Sequence, residues 1–129
     1  MKFLFDNDLP HSLATALRGL NQPVQHVRDI PELGAASPDD LNLSYCARRN
    51  FFLVTRDRAI MRTPQYRAII KEEGIGVFFV DAGKARQLGA WEIAKLLIKA
   101  WDDIQRYASD HKPPFLALVK PNGRVLQLK

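Results

Sequence analysis

Four aspartates carry the chemistry this chain of 129 residues could do: Asp6, the adjacent pair Asp39 and Asp40, and Asp57. Asp6 closes the apolar run Lys2-Phe3-Leu4-Phe5, and Asp57 closely follows a second run, Phe51 to Thr55. Pro38-Asp39-Asp40 opens a helical stretch between them. In an open α/β sheet the ends of parallel strands and the starts of helices crowd one edge, where sites form. Carboxylates gathered there bind a hard cation such as Mg²⁺ or Mn²⁺. Such an ion activates water and relieves charge at a phosphate, so the chemistry implied is phosphodiester hydrolysis. Asn7 stands where it could hold a metal-bound water or a phosphate oxygen.

Each acid also has a plainer use. Asp39 and Asp40 suit the first turn of a helix, where acids oppose the dipole. Asp57 suits a helix cap. Asp6, directly after a buried strand, is the hardest to explain structurally.

The surroundings favour a polyanionic substrate. Net charge is +5, and between Arg48 and Lys71 there are seven basic residues with Asp57 as the one acid. A basic field around an acidic centre suits nucleic acid. Arg56, Arg58 and Arg62 are the candidates to grip the phosphates of such a substrate.

The elements that must position these residues follow from pattern. Lys2 to Phe5 predicts a buried strand. Pro10 and the spacing of Leu13, Leu17 and Leu20 predict a helix. Val24 to Val27 predicts a second strand, and a loop runs from Arg28 to Pro38. Ser37-Pro38-Asp39-Asp40 has the form of an N-cap followed by a first-position proline. That helix runs to about Arg49 and buries Leu41, Tyr45 and Cys46. Phe51 to Thr55 is a third strand. Asp57 to Lys71 is helical with a break near Thr63-Pro64, and Gly74 to Val80 holds a fourth strand. Trp91, Ala94, Leu97, Trp101, Ile104 and Tyr107 give one core stripe on a long helix. Phe115 to Val119 and Val125 to Leu128, around Pro121-Asn122-Gly123, predict a hairpin. Strand and helix in alternation predict a parallel sheet covered on both faces.

Length fits one domain over 1–129. The lone Cys46 cannot form an internal disulfide and fits a reducing compartment. There is no secretory-type apolar segment and no run of membrane-spanning length, so a soluble, cytoplasmic protein is expected. Several motifs fail. Gly74-x-Gly76 precedes a strand rather than a helix, so it is no phosphate loop. His11, His26 and His111 lack zinc spacing, and His26 suits a structural role. Asp6-Asn7-Asp8 resembles the haloacid-dehalogenase phosphatases, but Pro10 stands where a Thr or Val belongs.

Phe5-Asp6-Asn7-Asp8-Leu9-Pro10, Ser37-Pro38-Asp39-Asp40 and Val54-Thr55-Arg56-Asp57-Arg58 together resemble the PIN-like nucleases related to VapC-type toxins. The similarity continues through Arg62 to Ala68, Gly76 to Phe79 and the helix from Trp91 to Trp101. It implies a three-layer α/β/α fold with a central, mainly parallel sheet of about four strands plus a C-terminal hairpin. It also implies an Mg²⁺- or Mn²⁺-dependent endoribonuclease, the toxin component of a type II toxin–antitoxin pair. RNA, a cognate antitoxin protein and a second copy in a homodimer are the partners that go with it. Carried over by position, Asp6 and Asp57 are ligands. The motif does not decide between Asp39 and Asp40. The set taken forward is Asp6, Asp39, Asp40 and Asp57 as catalytic acids, with Asp6, Asp40 and Asp57 on the metal. One departure stands out. Relatives often carry a second acid two residues after the position of Asp57, and here that residue is Ala59. Asp81 is the nearest substitute, or a turn residue before Gly83. The loss leaves open a weak or inactive module that binds RNA or a protein partner.

Overall fold

A computed structural model describes residues 1–81 and 89–128 of the protein, so Gly83 lies outside the described residues. The elements run β1 (Lys2–Phe5), α1 (His11–Gly19), β2 (Val24–His26), α2 (Asp39–Arg49), β3 (Phe51–Thr55), α3 (Arg58–Arg62), α4 (Pro64–Glu73), β4 (Gly76–Val80), α5 (Ala90–Asp110), β5 (Phe115–Val119) and β6 (Val125–Gln127). One six-stranded sheet has the order β2-β1-β3-β4-β5-β6. Every pairing is parallel except β5 with β6. The C-terminal hairpin therefore extends the sheet, because β5 pairs with β4 along its whole length before turning back.

Alternation along each strand divides the apolar residues between two faces. Phe3 and Phe5 join one cluster with α1 and α5. Leu4 joins the other, with Leu43 and Cys46 of α2, Ile60 of α3 and Ile70 of α4. Strands buried on both faces read as unbroken apolar runs, as Phe51 to Thr55 and Gly76 to Val80 do. Helices α2 and α4 each stop on a left-handed residue, Asn50 and Gly74, which lets the chain turn directly into the next strand. Among the described residues no helix is long and apolar enough to cross a membrane.

Three local expectations are corrected. Trp91 is 67% exposed. It lies six residues before Leu97, about 120° round the helix from it, and so falls off the buried stripe of Ile93, Leu97, Ala100, Trp101 and Ile104. Lys95 sits over its ring instead, 5.7 Å from the centroid. Leu41 is also exposed, because it falls off the face of α2 that carries Asn42, Leu43, Tyr45 and Cys46. Finally, Pro38 rather than Ser37 is the residue flanking α2, and the helix start has no side-chain cap. The Ser37 hydroxyl donates to Asn42 Oδ1 at 2.7 Å.

Gly76 marks the tightest point of the sheet. A Cβ there would stand 2.6 Å from Phe52 Cδ1 and 2.7 Å from Phe115 Cζ. Those two rings stack at 5.8 Å and Phe115 is buried, so its ring has little room to retreat. Gly76→Ala is expected to cost about 1–3 kcal/mol through overpacking, measured as a lower urea midpoint at unchanged slope. A midpoint equal to that of the parent protein would show that the rings yield.

Candidate active site

The chain order places the site. From β1 the chain crosses through α1 to β2 on one side of β1, then through α2 to β3 on the other side. Helices α1 and α2 lie on opposite faces of the sheet. Such a reversal opens a crevice beyond the carboxyl ends of the strands. Asp6 follows β1 there, Asp57 follows β3, and Asp39 opens α2. One carboxylate oxygen from each lies within 4.8 Å of the others.

Asp6 is the fixed member of the group. It is 5% exposed, and its backbone N–H extends the ladder by donating to Val54 O at 3.0 Å. Its Oδ1 accepts from the Asn7 N–H at 2.7 Å and from Asn42 Nδ2 at 3.2 Å. Its Oδ2 accepts from the Thr55 hydroxyl at 2.7 Å. Thr55 in turn accepts from the Asp57 N–H at 3.0 Å, so one buried hydroxyl ties the β1 acid to the β3 acid. Asp57 is also the N-cap of α3, accepting from the Ala59 N–H at 2.9 Å. Capping and membership of the cluster are here two uses of one carboxylate. The second acid of the related pattern is absent because Ala59 sits in that first turn.

Asp39, not Asp40, completes the trio. Asp39 is three residues before Asn42 on α2 and shares its face, whereas Asp40 is about 100° further round. Asp40 is exposed, and its carboxylate accepts from the Leu41 N–H at 3.0 Å. Of the adjacent pair, Asp39 is the one whose carboxylate stands with those of Asp6 and Asp57. Asp81, after β4, is likewise outside the trio.

The cleft has a volume of about 320 Å³ and is lined by Asp6, Asn7, Asp8, Ser37, Asp39 and Asp57, with Ala36. No Lys or Arg is among these residues. Asp8 straps the turn after β1 to the segment after β3, both its oxygens facing the Arg56 N–H at 3.2 and 3.3 Å. Removal from water, and then the charge of Asp6, raise its carboxyl to about 6. Asp39 is pushed up to about 7, first by burial, then by its hydrogen bond with Asp57 and by the charges of Asp57, Asp6 and Asp8. Arg58 and Arg62 stand exposed on α3 next to this cleft in sequence, and Arg56 is half-buried. Behind the Asp6 turn, buried His26 contacts Leu9 O through Nε2 at 2.9 Å and accepts from the Arg28 N–H through Nδ1. That arrangement requires a neutral ring, in line with a pKa lowered by burial.

Over residues 1–82 the chain matches the profile of a family described as PIN like domain. The chain belongs to that family. All three clustered acids of this PIN-like domain fall inside the matched span, while α5, β5 and β6 lie beyond it. No curated protein and no solved structure matches the chain. PIN-like domains are generally nucleases, and an acidic cluster is what such chemistry requires.

Sequence reasoning missed Asn42 and Thr55, the two buried donors to Asp6. The available signal was spacing. Asn42 follows Asp39 by three residues, and Thr55 is the last strand residue before Arg56-Asp57.

The raised Asp39 carboxyl has a consequence for stability. Its folded-state pKa lies above the unfolded value of 3.8, so folding favours the protonated form. The destabilisation is absent below pH 4 and grows as the pH rises through about 7. In EDTA, Asp39→Asn is expected to be more stable than the parent at pH 8 by about 1 kcal/mol, the shift being discounted for solvent in a half-open cleft. The gain should shrink toward pH 5. Urea denaturation at both pH values measures it, and a variant less stable at pH 8 would contradict the electrostatic account.

Proposed function

We propose that this PIN-like domain is a metal-dependent endoribonuclease and serves as the toxin component of a type II toxin–antitoxin pair. One observation carries the reading. Three carboxylates from three separate segments converge within 4.8 Å, and among the described residues no Lys or Arg lines the cleft they share. The donor set is all oxygen and carries excess negative charge, which suits Mg²⁺ or Mn²⁺. Asp6, Asp39 and Asp57 would hold the ion, which when bound supplies an activated water and charge relief at the phosphate.

The remaining work belongs to the chain. Thr55 and Asn42 hold the Asp6 carboxylate in one orientation. Asp8 fixes the spacing between the two strand ends through the Arg56 N–H. Asn7, exposed in the cleft, is placed to donate to a phosphate oxygen. Arg58 and Arg62, four residues apart on α3, present charge to the flanking phosphates. A second reading, a module that binds RNA without cutting it, is favoured by one specific residue, Ala59 in place of an acid.

Incubation with total tRNA in Mn²⁺ or Mg²⁺ separates the two. Cleavage is expected, lost in EDTA and reduced about a hundredfold or more in Asp6→Asn, with unchanged circular dichroism. Salt-sensitive RNA binding that persists in EDTA, without cleavage, would leave the binding module. Expression of the parent protein, but not of Asp6→Asn, is expected to arrest growth. Unimpaired growth alongside metal-dependent cleavage would remove the toxin role and keep the nuclease.

A further inference from the structure

Helices α2, α3 and α4 pack on the sheet face that carries Leu4, Leu53 and Val77. In register with Val77 on that face is Leu116, and in register with Phe79 is Leu118. Across the hairpin Leu118 pairs with Leu126, and the Leu128 N–H donates to Leu116 O at 2.8 Å. Leu116, Leu118, Leu126 and Leu128 therefore share one face of β5 and β6. The opposite face of the same strands is closed, with Phe115, Ala117 and Val119 buried beneath α5. Leu116 meets the edge of the cluster beneath α4, while Leu118, Leu126 and Leu128 belong to neither buried cluster. Leu126 is 46% exposed, and the other three are partly so.

The open strip is two strands wide, about 10 Å, which is the width of one helix. Between it and α4 runs a groove of about 380 Å³ that Leu116 and Leu128 line with Ile70, Arg67 and Lys71. Arg67 and Lys71 are one turn apart on α4 and exposed, and among the described residues no acid lines the groove. Neither makes an ion pair among the described residues. The floor is aliphatic. The one aromatic residue among the described residues of the groove, Phe115, turns its ring to the opposite face against Tyr107 and Phe78. It offers no platform for stacked bases, which argues against single-stranded nucleic acid. A net charge of +5 opposes a second copy of this chain.

We propose that this strip is a docking site for an amphipathic helix of a partner protein, leucine-rich on one face and acidic along the edge that meets Arg67 and Lys71. The inference is independent of what the acidic cleft does, since none of its residues belongs to that cleft.

The test uses the full chain, labelled with ¹⁵N, and two synthetic peptides of about 18 residues. One has leucines at helical spacing flanked by glutamates, and the other has lysines in place of the glutamates. The acidic peptide is expected to shift amide signals of residues 67–71, 115–118 and 126–128. The double charge reversal Arg67→Glu with Lys71→Glu, on exposed positions, should weaken it about tenfold and leave the fold's spectrum intact. Leu126→Asp should weaken it as well. Equal binding of both peptides, no shifts on this face, or displacement of the acidic peptide by an RNA oligonucleotide would overturn the proposal. So would a concentration-dependent dimer that Leu126→Asp dissolves.

Discussion

Bringing a third carboxylate up to two others costs free energy that neutral donors must offset, and in this chain those donors are Thr55 and Asn42. Two charges within 4.8 Å of each other repel by about 3 kcal/mol or more at the screening typical near a protein surface. A hydrogen bond to a charged group returns about 1.5–3 kcal/mol. Asp6 accepts three such bonds, from the Asn7 N–H, Asn42 and Thr55. The remaining strain shows in Asp39, whose carboxyl is raised to about 7. Much of the architecture at this edge answers that repulsion. The β1 ladder extends by one bond to seat Asp6, α2 begins where Asp39 and Asn42 can share a face, and Asp57 gives one oxygen to the first turn of α3.

Much of this was legible in the sequence, for reasons that differ by residue. Asp6 and Asp57 stand at the ends of apolar runs, and the strand-end rule of α/β sheets located them without tertiary knowledge. Asp39 and Asp40 are adjacent in one first turn. Only the direction of the helix face separates them, and that face became apparent with buried Asn42. A polar amide within a helix gives no outward sign of burial. Trp91 failed for a related reason, since helical spacing counted loosely admits a residue that lies about a third of a turn off the stripe. The strand β5 was foreseen as half of a hairpin, but its parallel pairing with β4 depends on a long-range contact through Phe115 and Gly76 that no local pattern encodes.

The extent of the family resemblance and the extent of the core differ. The match ends at residue 82. Yet the cluster that buries Phe3, Phe5 and Phe78 draws Leu97, Trp101, Ile104, Phe115 and Ala117 from beyond it. Trp101 alone meets the rings of Phe3 and Phe5 at 4.9 and 5.9 Å. The strand ends that carry the acids are thus supported from behind by a helix and a strand the profile does not describe.

Few side chains could replace Thr55. Its hydroxyl spends its single proton on Asp6 and its lone pair on the Asp57 N–H. A valine of the same shape offers neither, and an asparagine or a tyrosine does not fit a strand position with no exposed surface. A serine keeps both bonds but leaves the methyl group's space unfilled. Threonine and serine are therefore the residues this position can hold without cutting the link between Asp6 and Asp57.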